Sequence, residues 1–290
     1  MLLSELLRTG SDLLVNLYPE REAREMVFAY MESAAGTKRY THIIDPQYQI
    51  ADDFADKCLD DFRRMASGEP LQYVLNEAWF YGRRFNVTPD VLIPRPETEI
   101  LCRTVLTNSP GGVPRILDLC TGSGCIAWTL ALEMPGAEVV AADISDGALK
   151  VAGSQDFSAE MSHTGALRPQ FIKADVLSQP LTSLGTFDMI VSNPPYVRDS
   201  EKALMRSNVL DHEPHLALFV PDDDPLLFYR AVARWAVLLL NPGGFGMVEI
   251  NESLASDTED IFRDLRFADV RTVKDLNDKD RFVTFTAGKN

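Results

Sequence analysis

ILDLCTGSGCIA, Ile116 to Ala127, joins a short apolar run to the opening of a helix through four residues that contain two glycines. Ile116, Leu117 and Leu119 read as a buried strand, and Cys125 onward as a helix. Between them Thr121-Gly122-Ser123-Gly124 lets the backbone turn tightly and approach a ligand, with helix N–H groups facing the crevice. The next apolar run, EVVAADI, ends in Asp143, placed to accept hydrogen bonds from ribose hydroxyls. A nucleotide-like ligand follows from that pair; which one does not. A dinucleotide-binding dehydrogenase uses the same glycine pattern. A loop that merely turns the chain would also fit.

Outward from this stretch the texture repeats as strand, turn and helix. RILDL, EVVAADI, QFIKAD, FDMIVSN and GGFGMVEI are the strands, with helical runs such as GCIAWTLALEM and LLFYRAVARWAVLLL between them. Continuous apolar strands alternating with helices predict a parallel sheet covered on both faces. DVRTVKDL and RFVTFTAG, separated by NDKD, predict an antiparallel hairpin on the sheet edge. Trp128, Trp235, Phe171 and Phe187 are read as core.

Upstream the pattern differs. Residues 1–70 read as a helical domain, with Met26, Val27, Tyr30 and Met31 on one face before Gly36. A second face carries Phe54, Cys58, Leu59, Phe62 and Met65 before Gly68. Residues 71–96 alternate aromatic and polar side chains around Gly82 and predict a β-hairpin linker. The α/β domain then spans 97–290.

Composition narrows the function classes. The chain has 290 residues and a formal charge of −15, from 28 basic and 43 acidic side chains. Such a surface repels phosphate backbones, so direct nucleic-acid binding is not expected. Cys58, Cys102, Cys120 and Cys125 lack histidines at zinc-ligand spacing, so free thiols and no metal are expected. MLLSELLRTG has no basic stretch ahead of its leucines and is not read as a leader. No apolar run is long enough for a membrane span. A cytoplasmic monomer is the expectation.

Two features turn the reading from a nicotinamide cofactor towards S-adenosylmethionine. Only one βαβαβ half is present, where a dehydrogenase doubles it. Asp118, just ahead of the loop, suits a ligand with an ammonium end, and Asp175 in IKADVL would flank an adenine. A second motif then defines the acceptor. DMIVSNPPYVRD, Asp188 to Asp199, ends a strand in Asn193-Pro194-Pro195-Tyr196. Pro194 biases Asn193 to an extended backbone, and Pro195 has its own φ fixed. The Asn193 side-chain oxygen and the Pro194 carbonyl become a stiff pair of acceptors, with the Tyr196 ring alongside. Such a grip fits a planar –NH2 whose lone pair is delocalised, either an amide or adenine.

NPPY with DLCTGSG and DIS resembles the class I methyltransferases. GEPLQYVL, FYGRRFNV, VLIPRPETE, EPHLAL and KDLNDKDRF together resemble the HemK/PrmC-type glutamine methyltransferases, from about Gly68 to Phe282. The resemblance implies a class I, Rossmann-like fold: a seven-stranded, mostly parallel sheet with an antiparallel C-terminal edge, plus a small N-terminal helical domain. It implies methyl transfer from S-adenosylmethionine to the side-chain amide of a glutamine in the Gly-Gly-Gln motif of peptide chain release factors. Cys120 to Gly124 and Asp143 would contact the methionine and ribose parts, and Val176 the adenine. Asn193 would touch cofactor and substrate; Asn193 to Tyr196 would bind the glutamine, with Asn193, Pro194 and Tyr196 as the catalytic set. Arg95 and Glu97 in IPRPETE are candidates for substrate or loop contacts. Pro96-Glu97-Thr98-Glu99 favours release factors over a ribosomal protein as the substrate. The family usually carries glycine where Cys120 stands, which puts the backbone there in question. His212 and His215 are read as structural, and the acidic run Asp222–Asp224 as a solvated loop.

Three rivals remain open at this stage. An adenine N6-methyltransferase shares the grip but would need a basic groove. A dehydrogenase has no use for NPPY. A module that binds cofactor without turnover would ignore the loss of Asn193.

Overall fold

In the computed structural model, which describes residues 1–289, the chain divides into two units by its internal contacts. The first comprises Met1–Glu77 together with Met205–His212; the second is Ala78–Leu204 and the chain from Glu213 onward.

Helices α1 (Leu3–Leu14), α2 (Glu20–Ala35), α3 (Thr41–Ile44), α4 (Asp52–Ala66) and α5 (Leu71–Leu75) build the first unit. Its core is a set of stripes at helical spacing: Leu3, Leu6, Leu7 and Leu14 from α1; Ala23, Val27, Tyr30 and Met31 from α2; Ala55, Cys58, Phe62 and Met65 from α4. Both expected stripes are present but slightly rotated. Ala23 and Ala55 take central places, while Met26, Phe54 and Leu59 are only half-buried, because small residues let neighbouring helices approach. Tyr30 donates its hydroxyl to Asp61 (2.6 Å), which gives that buried carboxylate a partner. Helix α2 ends at Gly36, in the left-handed region (φ 64°).

A hairpin, β1 (Glu77–Phe80) and β2 (Arg83–Asn86), starts on the last residue of the first unit's main segment and runs into the second. It is not a free connector. Phe80 and Phe85 are buried with Leu101 and Trp128, and the Tyr81 N–H donates to Glu99 (2.8 Å). Arg83 pairs with Glu133 (2.7 Å) and Glu160. Next come α6 (Thr98–Thr107), β3 (Arg115–Leu119), α7 (Cys125–Glu133), β4 (Glu138–Asp143), α8 (Asp146–Ser154), α9 (Ser158–Thr164), β5 (Gln170–Lys173) and β6 (Phe187–Ser192). A short parallel pair, β7 (Val197–Arg198) with β8 (Phe219–Val220), brackets α10 (Ser207–Leu210), whose residues belong to the first unit. The chain ends in α11 (Leu227–Leu239), β9 (Leu240–Glu249), α12 (Ala255–Asp264), β10 (Ala268–Lys274) and β11 (Asp280–Thr286).

Seven strands form one sheet in the order β10-β11-β9-β6-β3-β4-β5. The five from β5 to β9 run parallel, and β11 and β10 add antiparallel at the edge. This is the architecture that the sequence predicts. Alternation along each strand sends side chains to two cores. Ile116, Met189, Val191 and Met247 face α6 and α7; Leu117, Leu119, Ile190 and Val248 face α11 and α12. From β3 the strands step one way to β4 and β5, and the other way to β6 and β9. Ligands bind at such a switch point, outside the carboxyl ends.

Candidate active site

Register brings the decisive residues to one level. Leu119 pairs with Ala142 and with Ser192, and Ser192 pairs with Val248. The next residues, Cys120, Asp143, Asn193 and Glu249, therefore stand side by side at the carboxyl ends of β3, β4, β6 and β9. A crevice opens there, with about 1140 Å³ of open space including its mouth.

The glycine loop forms one wall, through Cys120, Thr121, Gly122 and Ser123. Gly122 (φ 55°) and Gly124 (φ 80°) are both left-handed, and Gly124 caps α7. A Cβ on Gly124 would lie 3.0 Å from the Ala152 Cβ, so that residue serves packing behind the loop; it does not line the crevice. Cys120 is left-handed as well (φ 62°), which explains why glycine suits the position. Burial, and then Asp143 and Asp118, push its thiol well above the usual range, so it is held as a neutral thiol rather than a thiolate. Burial likewise raises Cys125, to about 12.

Asp118 stands apart from the ammonium-binding expectation. Its side chain is fully buried and lies outside the crevice lining, where its Oδ2 accepts from Thr121 Oγ1 (2.6 Å). Alternation along β3 is the reason: Asp118 points towards α7, beneath the loop. Burial raises its carboxyl to about 7, against the opposing Thr121 hydrogen bond.

Asp143 does line the crevice. Its two oxygens accept from the Gly122 N–H (2.9 Å) and the Ser145 N–H (2.9 Å), which ties β4 to the glycine loop and leaves lone pairs towards the cavity. Burial raises its carboxyl, and those amides pull the other way. Asp175 caps a turn through Leu177 N–H (2.9 Å) and Ser178 Oγ (3.1 Å), and the turn presents Val176 and Leu177 to the crevice. Ile144 and Phe228 add apolar lining that the motifs do not reveal.

At the other end stand Asn193 and Pro195, both in the lining, and Pro194, which is buried. Asn193 donates through Nδ2 to Thr98 Oγ1 (3.2 Å), and no hydrogen bond among the described residues takes up its Oδ1 or the Pro194 carbonyl. Tyr196 departs from the stacking expectation: it packs against the α11-side core, outside the lining, and its hydroxyl donates to Glu249 (3.0 Å). Asn251 holds the segment from behind, its Nδ2 on the Tyr196 carbonyl (3.2 Å).

Arg95 reaches the crevice; Glu97 does not, standing as the residue that precedes α6. Arg95 Nη2 donates to Glu213 Oε1 (2.6 Å), and Glu213 Oε2 also accepts from the Ile93 N–H (3.2 Å). Buried Glu213, which sequence reading passed over between two histidines, thus clamps the IPRPETE segment. Among the described residues no group of three His, Cys, Asp or Glu side chains could hold a metal, and no helix is long and apolar enough to cross a membrane.

Comparison with known proteins follows the same lines. Residues 96–215 match the model of the methyltransferase small domain. A release factor glutamine methyltransferase of Bacteroides thetaiotaomicron is 44% identical over 221 residues, 76% of this chain and 77% of that protein. One from Streptococcus pneumoniae is 33% identical over the full length of both. A solved structure from Alicyclobacillus acidocaldarius, described as a release factor-specific protein-(glutamine-N5) methyltransferase, is 30% identical, with a TM-score of 0.40 over 70% of this chain and 99% of that one. On the glycine loop, the Asn-Pro-Pro-Tyr turn and identities of this size over most of its length, the chain belongs to the release factor glutamine methyltransferase family.

Proposed function

We propose that this chain transfers a methyl group from S-adenosylmethionine to the side-chain amide nitrogen of the glutamine in the Gly-Gly-Gln motif of a peptide chain release factor. The observation that carries the reading is an unused acceptor in the crevice lining, Asn193 Oδ1, followed along the chain by the equally unused Pro194 carbonyl. Two acceptors match the two N–H bonds of a primary amide and would lie poorly against a hydroxyl or a carboxylate.

The crevice suits the cofactor chemically. Its lining carries Asp90, Asp143 and Asp175 and a single basic residue, Arg95. That charge balance favours a cationic ligand with ribose hydroxyls and opposes a pyrophosphate. Asp143 would hold the ribose, Val176 and Leu177 the adenine face, and Cys120 to Ser123 the methionine part. When bound, S-adenosylmethionine supplies an electrophilic methyl on a sulfonium. The residues of this chain do the remainder. Asn193 and the Pro194 carbonyl hold the amide by both N–H bonds, turn its nitrogen towards the methyl, and stabilise the positive charge that grows there. The proton then leaves to solvent, without a dedicated base. Asn193 and Pro194 are the contact residues; Tyr196 acts from behind through Glu249. Arg95 lies where a substrate backbone or the cofactor carboxylate would be met, and we assign Glu97 no contact. The helical first unit is proposed to recognise the release factor, and the enzyme to act as a cytoplasmic monomer.

The test is mass spectrometry of a release factor incubated with the protein and S-adenosylmethionine. One added methyl on the glutamine side chain is expected, and Asn193→Ala is expected to slow its formation roughly 10²–10³-fold. Absence of that product while cofactor binding persists would sink the reading.

A further inference from the structure

Behind Asn193 runs a chain of hydrogen bonds whose direction is set by Glu249 in its ionised form. Glu249, buried at the end of β9, accepts at Oε2 from Thr98 Oγ1 (2.7 Å) and at Oε1 from the Tyr196 hydroxyl (3.0 Å). A carboxylate has no proton to give, so both hydroxyls must point theirs towards it. With its proton committed, Thr98 can offer Asn193 only a lone pair, and Asn193 Nδ2 donates to it (3.2 Å). The amide nitrogen is thereby held inward, and Oδ1 is left to face the crevice.

The two ends of an asparagine amide are nearly the same shape, and its terminal torsion is close to two-fold. Shape alone would let Asn193 turn over. A turned amide would set an –NH2 against the –NH2 of the substrate, two donors facing one another. We infer that Thr98 and Glu249 are positioning residues which fix the direction of the Asn193 amide, so that the site accepts a primary amide and rejects a carboxylate. This rests on the proposed grip of Asn193 on glutamine. Neither residue lies in the NPPY motif. Glu249 arrives from β9 through the register that places Val248 beside Ser192, and Thr98 from α6, which packs against β9. Burial raises the Glu249 carboxyl, while the hydrogen bonds from Thr98 and Tyr196, and then the Arg281 guanidinium, pull towards the charged form that the device needs.

The test compares kcat, cofactor affinity and peptide selectivity in Thr98→Val, Thr98→Ser and Glu249→Gln. Valine keeps the shape and removes the hydroxyl. Thr98→Val is expected to lower kcat about tenfold or more with cofactor affinity within about twofold of wild type, and Thr98→Ser to recover most of the loss. Glu249→Gln keeps the volume but can donate to Thr98, which frees the threonine proton for Asn193 and permits the turned amide. In Thr98→Val and Glu249→Gln, a peptide with glutamate in place of the target glutamine should become a relatively better inhibitor. If Thr98→Val folds poorly by thermal shift, Glu249→Gln carries the comparison. A wild-type enzyme that does not methylate glutamine removes the proposed function and this inference with it. A wild-type enzyme that does, while a folded Thr98→Val or Glu249→Gln matches it in rate and in selectivity, removes this inference alone.

Discussion

At the scale of single residues, alternation decides what a polar side chain can do. Asp118 near the end of β3 and Asp143 at the end of β4 both flank the glycine loop, yet Asp118 lies buried under the loop and Asp143 lines the crevice. Asp118 carries a consequence for stability. Its carboxyl is raised to about 7 in the fold, from about 3.9 in an unfolded chain. A raised pKa means that the folded state holds the proton more tightly. The stability from protonated Asp118 is therefore complete below about pH 4 and is lost as the pH climbs to about 7. Asp118→Asn, neutral throughout, should gain on the wild type in denaturant unfolding from pH 5 to pH 7. Parallel profiles for the two proteins would show that Asp118 does not titrate there. Cys120 illustrates the reverse case, where sequence raised the right question. A residue with a Cβ stands in a left-handed conformation, and the resemblance to a family that prefers glycine there pointed to the strain.

Among elements, the hairpin β1–β2 illustrates how distant segments fix the loop. Gln155, buried just after α8, accepts from the Asn86 N–H (2.8 Å) and donates to the carbonyls of Asn86 (2.9 Å) and Ser123 (3.2 Å). One side chain thus joins the end of the hairpin to the glycine loop. Replacing it by leucine would strand the buried Ser123 carbonyl, at roughly 1–3 kcal/mol before relaxation, and leave the two part-buried Asn86 groups to water. We expect Gln155→Leu to lower the unfolding midpoint clearly and to weaken S-adenosylmethionine binding in calorimetry. Unchanged affinity in a destabilised variant would confine Gln155 to holding the hairpin. Strand and helix positions were legible from periodicity here, because apolar spacing records which face is buried. Gln155 was not, since a glutamine in a polar stretch carries no mark of a partner 69 positions away.

For the molecule as a whole, charge is the controlling property. A formal charge of −15 makes the folded surface repel itself, and added salt screens that repulsion. The thermal midpoint should rise as sodium chloride increases from about 10 mM to about 150 mM, where the screening length falls from roughly 30 to 8 Å. A midpoint that falls over that range would mean that the ion pairs, such as Arg95–Glu213 and Arg83–Glu133, outweigh the net charge.

Sequence alone determined the alternating α/β architecture, the glycine loop, the acid at the end of the following strand and the proline-stiffened turn after β6. Each is local: a period of two or 3.6, a glycine at a turn, a proline that fixes φ. Only the tertiary structure decided which of those residues face the crevice and what stands behind them. Thr98 and Glu249 lie 151 positions apart and meet because α6 packs against β9; Arg95 and Glu213 lie 118 apart and meet at the mouth. A buried carboxylate leaves no signature in the chain around it, because its partners are chosen by packing across the sheet.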